Sequence, residues 1–265
     1  MSVKKQTAER KLISFDWAMK SVLRQKSSFG ILEGLISTIL KENIKIDTIL
    51  ETESNIDWRD GRYVRTDIQA KNKKGDIYIV EIQYAYQINF FHRILYSASV
   101  AVKEYLKENI GYDKIKRVIS ITIAYSNLGV GNDYVYKGNN HFLGIHDNSE
   151  LELHETQQKK YKIKKLKQIF PEYWIIRLKQ YNDELNDNLD QWIYFFKNSL
   201  IKKDFTAKGL QKASERLEEI AYFKGDEHAY NEYIKFILDR NSQIAQLEDE
   251  KEEKTTLIKT IEEKD

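Results

Sequence analysis

Two carboxylates, Asp67 and Glu81, stand in the stretch VRTDIQAKNKKGDIYIVEIQ at residues 64–83 at a spacing that a hairpin would set face to face. Alternation of apolar and polar residues predicts one strand over 63–71 and a second over 76–84. A three-residue turn, Lys73-Lys74-Gly75, joins them if Gly75 takes the left-handed conformation. That register sets Lys71 opposite Ile77, Asp67 opposite Glu81 and Arg65 opposite Gln83. Like charges directly opposite one another destabilise a sheet, so paired carboxylates call for a proton or a cation between them. A divalent metal held this way lowers the pKa of bound water and stabilises charge on a phosphate, a common route to phosphodiester hydrolysis.

The elements that must position this hairpin follow from periodicity. A short helix carries Phe15, Met19, Val22 and Leu23 at helical spacing, and a second runs from Ser28 to Lys41 with Glu33 inside its apolar stripe. Residues 45–51 alternate as a strand. A long helix is predicted over 88–109, with Phe91, Leu95, Ala98, Val102 and Tyr105 facing inward and Gly111 at its end. KRVISITIAY at 116–125 is a β-branched, apolar and therefore central strand. Beyond it, residues 127–140 read as a loop with a short strand at 134–136, and 151–154 as an edge pairing. The basic run KKYKIKKLK at 159–167 reads as a helix, 173–178 as a strand and 188–200 as a helix. The order helix, three strands, helix, strand is that of an α/β layer with a mixed sheet.

Composition bounds the partners. With a formal net charge of +2 over 265 residues, nucleic-acid affinity has to come from local patches. Cysteine is absent, which excludes disulfides and thiolate metal sites. No apolar run reaches the length of a membrane span and the first residues lack an apolar signal segment, so a cytoplasmic location without membrane contact is expected. From Thr206 onward helix formers dominate. Ile237, Ile244, Leu247, Ile258 and Ile261 fit heptad positions, although Arg240, Lys251 and Lys254 interrupt the register. The expected organisation is a domain over 1–205 and a helical extension over 206–265, which is read either as a coiled coil supporting a homo-oligomer or as a solvated tail.

The chain resembles the PD-(D/E)XK nuclease superfamily, and most closely its Rpn-type recombination-promoting nucleases, also described as transposases. The segments that carry the resemblance are FDWAMKSVL at 15–23, ILEGLIS at 31–37, RTDIQA at 65–70, IVEIQ at 79–83 and FFHRILYSAS at 90–99, supported by FPEYWII at 170–176 and LDQWIYFFKNS at 189–199. It implies a restriction-endonuclease-like αβββαβ core and a metal-dependent DNA endonuclease using Mg²⁺, Mn²⁺ or another divalent cation. Asp67, Glu81 and the backbone carbonyl of Ile82 would be the metal ligands. Gln83 stands where the superfamily usually has lysine, although the Rpn-like branch that the chain resembles often carries glutamine there. A neutral amide orients a nucleophile but carries no charge, so Arg65, opposite it in the expected register, is the candidate for the catalytic cation.

Further candidates are weighed against simpler uses. Glu33 matches an acidic residue of the superfamily's first core helix and is read either as a metal-site carboxylate or as a solvated one. Asp16 reads as a helix-cap carboxylate. Arg93 and Tyr96 share a helix face near the site, where Arg93 would contact phosphate. His92 reads as a packing or surface residue. Lys71, Lys73 and Lys74 at the hairpin tip are expected to contact DNA. In the run at 159–167, a helix would align Lys160, Lys164 and Lys167 along a phosphate backbone, with Tyr161 available to stack. Low cleavage specificity is expected, because no sequence-reading module is apparent. The alternatives are a catalytically inactive nucleic-acid-binding or regulatory protein that keeps the fold, and an interaction module working through the C-terminal helix.

Overall fold

The computed structural model describes residues 28–50, 68–84, 86–108 and 111–222, together with Met19, Val22 and Leu23. Asp16, Arg65, Asp67 and the heptad positions from Ile237 to Ile261 lie outside the described residues. Six strands form one mixed sheet: β1 (Ile46–Leu50), β2 (Ile68–Asn72), β3 (Ile77–Gln83), β4 (Val118–Ala124), β5 (Val135–Gly138) and β6 (Glu172–Arg177). Their order is β1-β2-β3-β4-β6-β5. β3, β4 and β6 run parallel, and the remaining neighbours pair antiparallel. Every residue of β3 and β4 is buried, as expected of parallel strands covered on both faces. This is the α/β architecture with a helix-flanked mixed sheet that the sequence predicts.

The two faces of the sheet are covered differently. Tyr78, Val80 and Ile82 of β3 join the main core with α1 (Phe29–Leu40) and α4 (Asn188–Asn198). Asp187 caps α4, its carboxylate accepting from the Leu189 and Asp190 N–H groups at 2.8 and 3.0 Å. On the other face, Ile77, Ile79 and Val118 pack against Ala98 and Ala101 of α2 (Phe90–Glu108). The main core also takes in Ala207, Leu210 and Ala213, at the start of α5 (Leu210–Tyr222). Packing therefore continues past the point where the composition changes. Among the described residues no helix is long and apolar enough to cross a membrane.

Three expectations are corrected. The inward face of α2 is rotated by one residue: Phe90, Ile94, Ser97, Ala98 and Ala101 are buried, whereas Phe91 and Leu95 are 47% and 57% exposed. The doublets Phe90-Phe91 and Ile94-Leu95 satisfy a helical stripe in either position, so periodicity could not choose between them. Residues 151–154 form no strand; the pairing there is a single bridge between Leu143 and Glu150. The basic run is not one helix. α3 (Glu155–Tyr161) stops at Lys162, whose φ of 56° is left-handed, and a 3₁₀ turn over Leu166–Gln168 follows. The alignment of Lys160, Lys164 and Lys167 is therefore not formed.

α1 meets the chain before α5 backbone to backbone, at glycines. A Cβ on Gly34 would collide with the Lys208 carbonyl, and Gly209 has φ +83° where a Cβ would crowd the Gly30 carbonyl and the Ile31 backbone. Backbone cannot yield as a flexible side chain can. Gly34→Ala is expected to be net destabilising by about 1–3 kcal/mol, because overpacking outweighs the gain in helix propensity. Urea unfolding followed by far-UV circular dichroism measures this, and an unchanged midpoint would refute it.

Candidate active site

The hairpin forms in the predicted register. Lys71 pairs with Ile77 and Ile68 with Val80. Gly75 has φ 89°, and the Asn72 N–H donates to the Asp76 carbonyl at 3.1 Å. The Asn72 side chain locks the turn. Its Oδ1 accepts from the Lys74 and Asp76 N–H groups, both at 2.9 Å, and its Nδ2 donates to Asp76 and to the Tyr78 hydroxyl. The described pairing ends at Ile68, one residue after Asp67 in the chain.

Glu81 and Gln83 lie two apart on β3 and so share one face, the face covered by α2. Glu81 is 1% exposed and Gln83 7%. Arg93, in the first turn of α2, reaches both. Its Nη2 donates to Glu81 Oε2 at 2.9 Å and to Gln83 Oε1 at 2.7 Å, while Nη1 donates to Gln87 Oε1 at 2.8 Å. The guanidinium also lies 4.7 Å from the centroid of the Phe90 ring. Ser97, one helical turn on, donates to Glu81 Oε1 at 3.3 Å. The Arg93 Nε is buried and makes no hydrogen bond. In the parallel register Thr122 stands opposite Glu81. The hydroxyls of Ser120 and Thr122 are buried without a hydrogen-bond partner. Together these groups make a polar island beneath α2 in an otherwise apolar sheet.

The loop beside the island is fixed from β6. The Tyr125 N–H donates to the Gln83 carbonyl at 2.8 Å. Arg177 donates to the carbonyls of Gly129, Gly131 and Asp133. The Tyr134 hydroxyl donates to Asp190 at 2.8 Å, and burial, together with that carboxylate, pushes its pKa up to about 12. The phenol therefore stays protonated at neutral pH and keeps donating.

The structure brings together Glu81, Gln83 and Arg93, and with them Ser97 and Gln87, which the sequence reading missed. Ser97 was findable, since it is four residues from Arg93 and shares its helix face. Arg93, expected to contact phosphate, donates to Glu81, Gln83 and Gln87. Tyr96 is exposed, as is His92. Ile82 turns its side chain into the main core. Glu33 is not brought to Glu81. Its carboxylate accepts from the Ile46 N–H at 3.0 Å and from Lys45 Nζ at 2.9 Å. Ile46 pairs with Asn72 at the hairpin-tip end of the sheet. Lys71, Lys73 and Lys74 lie at that end too, with Lys73 and Lys74 roughly 20 Å along the strand from Gln83 at about 3.3 Å per residue.

Among the described residues no group of three or more His, Asp or Glu side chains gathers that could hold a metal ion. The Glu81 carboxylate is a hard oxygen donor of the kind Mg²⁺ and Mn²⁺ take, and the second expected carboxylate, Asp67, lies outside the described residues. The fit therefore rests on Glu81 and the hard character of its donor atoms.

A family model described as PD-(D/E)XK nuclease family transposase matches residues 13–247. No curated protein and no solved structure matches the chain.

A carboxylate buried this deeply costs several kcal/mol unless a cation faces it. Arg93→Met removes that cation and is expected to destabilise the protein by about 3–5 kcal/mol, whereas Arg93→Met combined with Glu81→Gln costs less than Arg93→Met alone. Denaturant midpoints of the single and double variants decide this; additive losses would show that the ion pair contributes nothing.

Proposed function

This chain belongs to the PD-(D/E)XK nuclease family transposases, a nuclease-type family, and on that premise we propose that it is a divalent-metal-dependent endonuclease hydrolysing DNA phosphodiester bonds with low sequence specificity. The observation that carries the reading is Glu81. Sheet packing has no use for a charge at a position that is 1% exposed between Ile79 and Gln83; an apolar residue of similar volume is commonly neutral or better for stability there. A carboxylate kept at such a cost, beside an amide and a guanidinium, is the chemistry of a phosphoryl site.

Glu81, Asp67 and the Ile82 carbonyl would hold the metal. When bound, Mg²⁺ or Mn²⁺ supplies a bound water of lowered pKa and neutralises phosphate charge. Gln83 orients the attacking water through its amide. Arg93, whose Nη2 already bonds Gln83 and Glu81, supplies a fixed positive charge to the developing anion. Arg65, the cation expected from the sequence, lies outside the described residues; Arg93 is the guanidinium that the described residues bring to Gln83. A link to recombination, mobile elements or defence is part of this reading and derives from the family.

A second reading, a catalytically inactive nucleic-acid-binding protein, draws on one observation: both Glu81 oxygens are already held, by Arg93 and Ser97. One experiment separates the two. Purified protein is incubated with supercoiled plasmid and Mg²⁺ or Mn²⁺, against EDTA. Metal-dependent nicking is expected, abolished by Asp67→Ala with Glu81→Ala. Arg93→Gln is expected to lower kcat on the order of 10²–10³-fold, as when an oxyanion donor is removed. Nicking that survives the double substitution rejects the site, and DNA binding without metal-dependent cleavage establishes the second reading.

A further inference from the structure

The basic run that fails to form one helix builds something else. Lys164, Lys165 and Lys167 line a cavity of about 380 Å³ together with Arg117 and Lys137, and among the described residues the one carboxylate in its wall is Glu172. That carboxylate is spent internally. It accepts from Arg117 Nη2 at 3.2 Å and from Trp174 Nε1 at 2.7 Å, and pairs with Lys137 Nζ at 3.2 Å. Burial would raise the Glu172 carboxyl, but the Trp174 N–H and Arg117 hold it below its ordinary value, so it stays ionised. Arg117 is further engaged by both oxygens of Glu42 at 3.0 Å. Among the described residues no carboxylate lies within ion-pair distance of Lys164, Lys165 or Lys167.

The backbone carrying these lysines is hydrogen-bonded to its own loop. The Gln168 side-chain oxygen accepts from the Lys164 and Lys165 N–H groups at 3.0 and 2.9 Å, and the 3₁₀ turn closes over Leu166–Gln168. Phe170 lines the same cavity and packs against Phe142, with ring centroids 5.0 Å apart and the planes tilted by 43°. Three lysines without a carboxylate partner among the described residues, lining one concavity, raise the positive potential there, and an aromatic residue beside them suits a base or a sugar.

The cavity is separate from the Glu81 island. Arg117 precedes β4 and Glu172 opens β6, at the strand ends where β3 begins. Glu81, paired with Thr122, lies roughly 15 Å further along the strands at about 3.3 Å per residue. Trp174, beside Glu172, packs on the main core, the face of the sheet away from α2.

We propose that this cavity is a second nucleic-acid contact, in which Lys164, Lys165 and Lys167 bind backbone phosphates at the end of the sheet opposite the Glu81 site. The proposal stands on binding and does not require the protein to cleave. Its test is fluorescence anisotropy of the full chain with a labelled 30-base-pair duplex in EDTA across a salt series, with labelled ATP as a separate probe. Removing three phosphate contacts (K164A, K165A and K167A together) is expected to reduce the slope of log K against log salt by roughly 2–3 and to weaken duplex binding about tenfold or more. A charge-matched control, K179A with K203A and K212A, is expected to bind almost as the parent does. Equal losses in the two triple variants would reduce the effect to net charge and overturn the proposal. So would an unchanged slope, no duplex binding by the parent protein, or binding of ATP alone. Thermal midpoints close to that of the parent protein confirm that the triple variants fold. Failure of the nuclease reading is registered separately, by the plasmid assay.

Discussion

The buried ion pair of Glu81 and Arg93 ties α2 to the centre of the sheet. The strand neighbours of Glu81 on the same face are Ile79 and Gln83, and the strand beside it offers only Thr122 and Ser120. Leaving a carboxylate there without a facing cation costs several kcal/mol, comparable to a large share of a domain's net stability. Arg93 and Ser97 offset that cost from consecutive turns of one helix. They reach the carboxylate only if α2 lies close to the sheet, and Ala98 and Ala101 are small enough to permit the approach. The helix is thus rotated to serve the charge as well as to bury apolar area. Phe91 and Leu95 remain exposed while their neighbours Phe90 and Ile94 go inward.

The parallel strands then divide the charges between two ends. Glu81 and Gln83 close β3 at one end, under the loop that Arg177 and Tyr134 hold. At the other end the hairpin tip, Arg117, Lys137 and the loop at 164–168 gather cations, and the carboxylates there are already committed. Glu33 holds β1 and Lys45; Glu172 holds Arg117, Lys137 and Trp174. A net charge of +2 conceals this separation. Field and recognition follow the local arrangement, not the sum.

Legibility in the sequence tracked how local each determinant is. The hairpin register was readable because Gly75 permits the left-handed turn and side chains alternate with a period of two. The central strands were readable from β-branched runs. The face of α2 was not, because adjacent apolar doublets leave the stripe ambiguous by one residue and the tie is broken by a contact with a strand twelve residues earlier, Arg93 to Glu81. The break at Lys162 was not readable either: a lysine-rich run has good helix propensity, and nothing in its composition announces a left-handed residue. Glu33 was correctly placed in a buried stripe, but its partners, Lys45 and the Ile46 N–H, are backbone and surface groups that a motif comparison does not see.

These contacts also bear on why position 83 carries an amide. The superfamily resemblance sets lysine there, beside the strand glutamate. In this chain a guanidinium from α2 already lies 2.7 Å from the side-chain oxygen of that residue. A lysine at 83 would bring a second cation against Arg93 in a pocket where both are largely desolvated, and like charges so close repel strongly. The glutamine accepts from Arg93 instead and keeps its N–H donors for other groups. The neutral residue and the helical arginine are therefore one arrangement: Gln83 accepts from Arg93 where a second cation would be repelled. The amide at 83 departs from the wider superfamily pattern but suits the arginine that α2 sets against it.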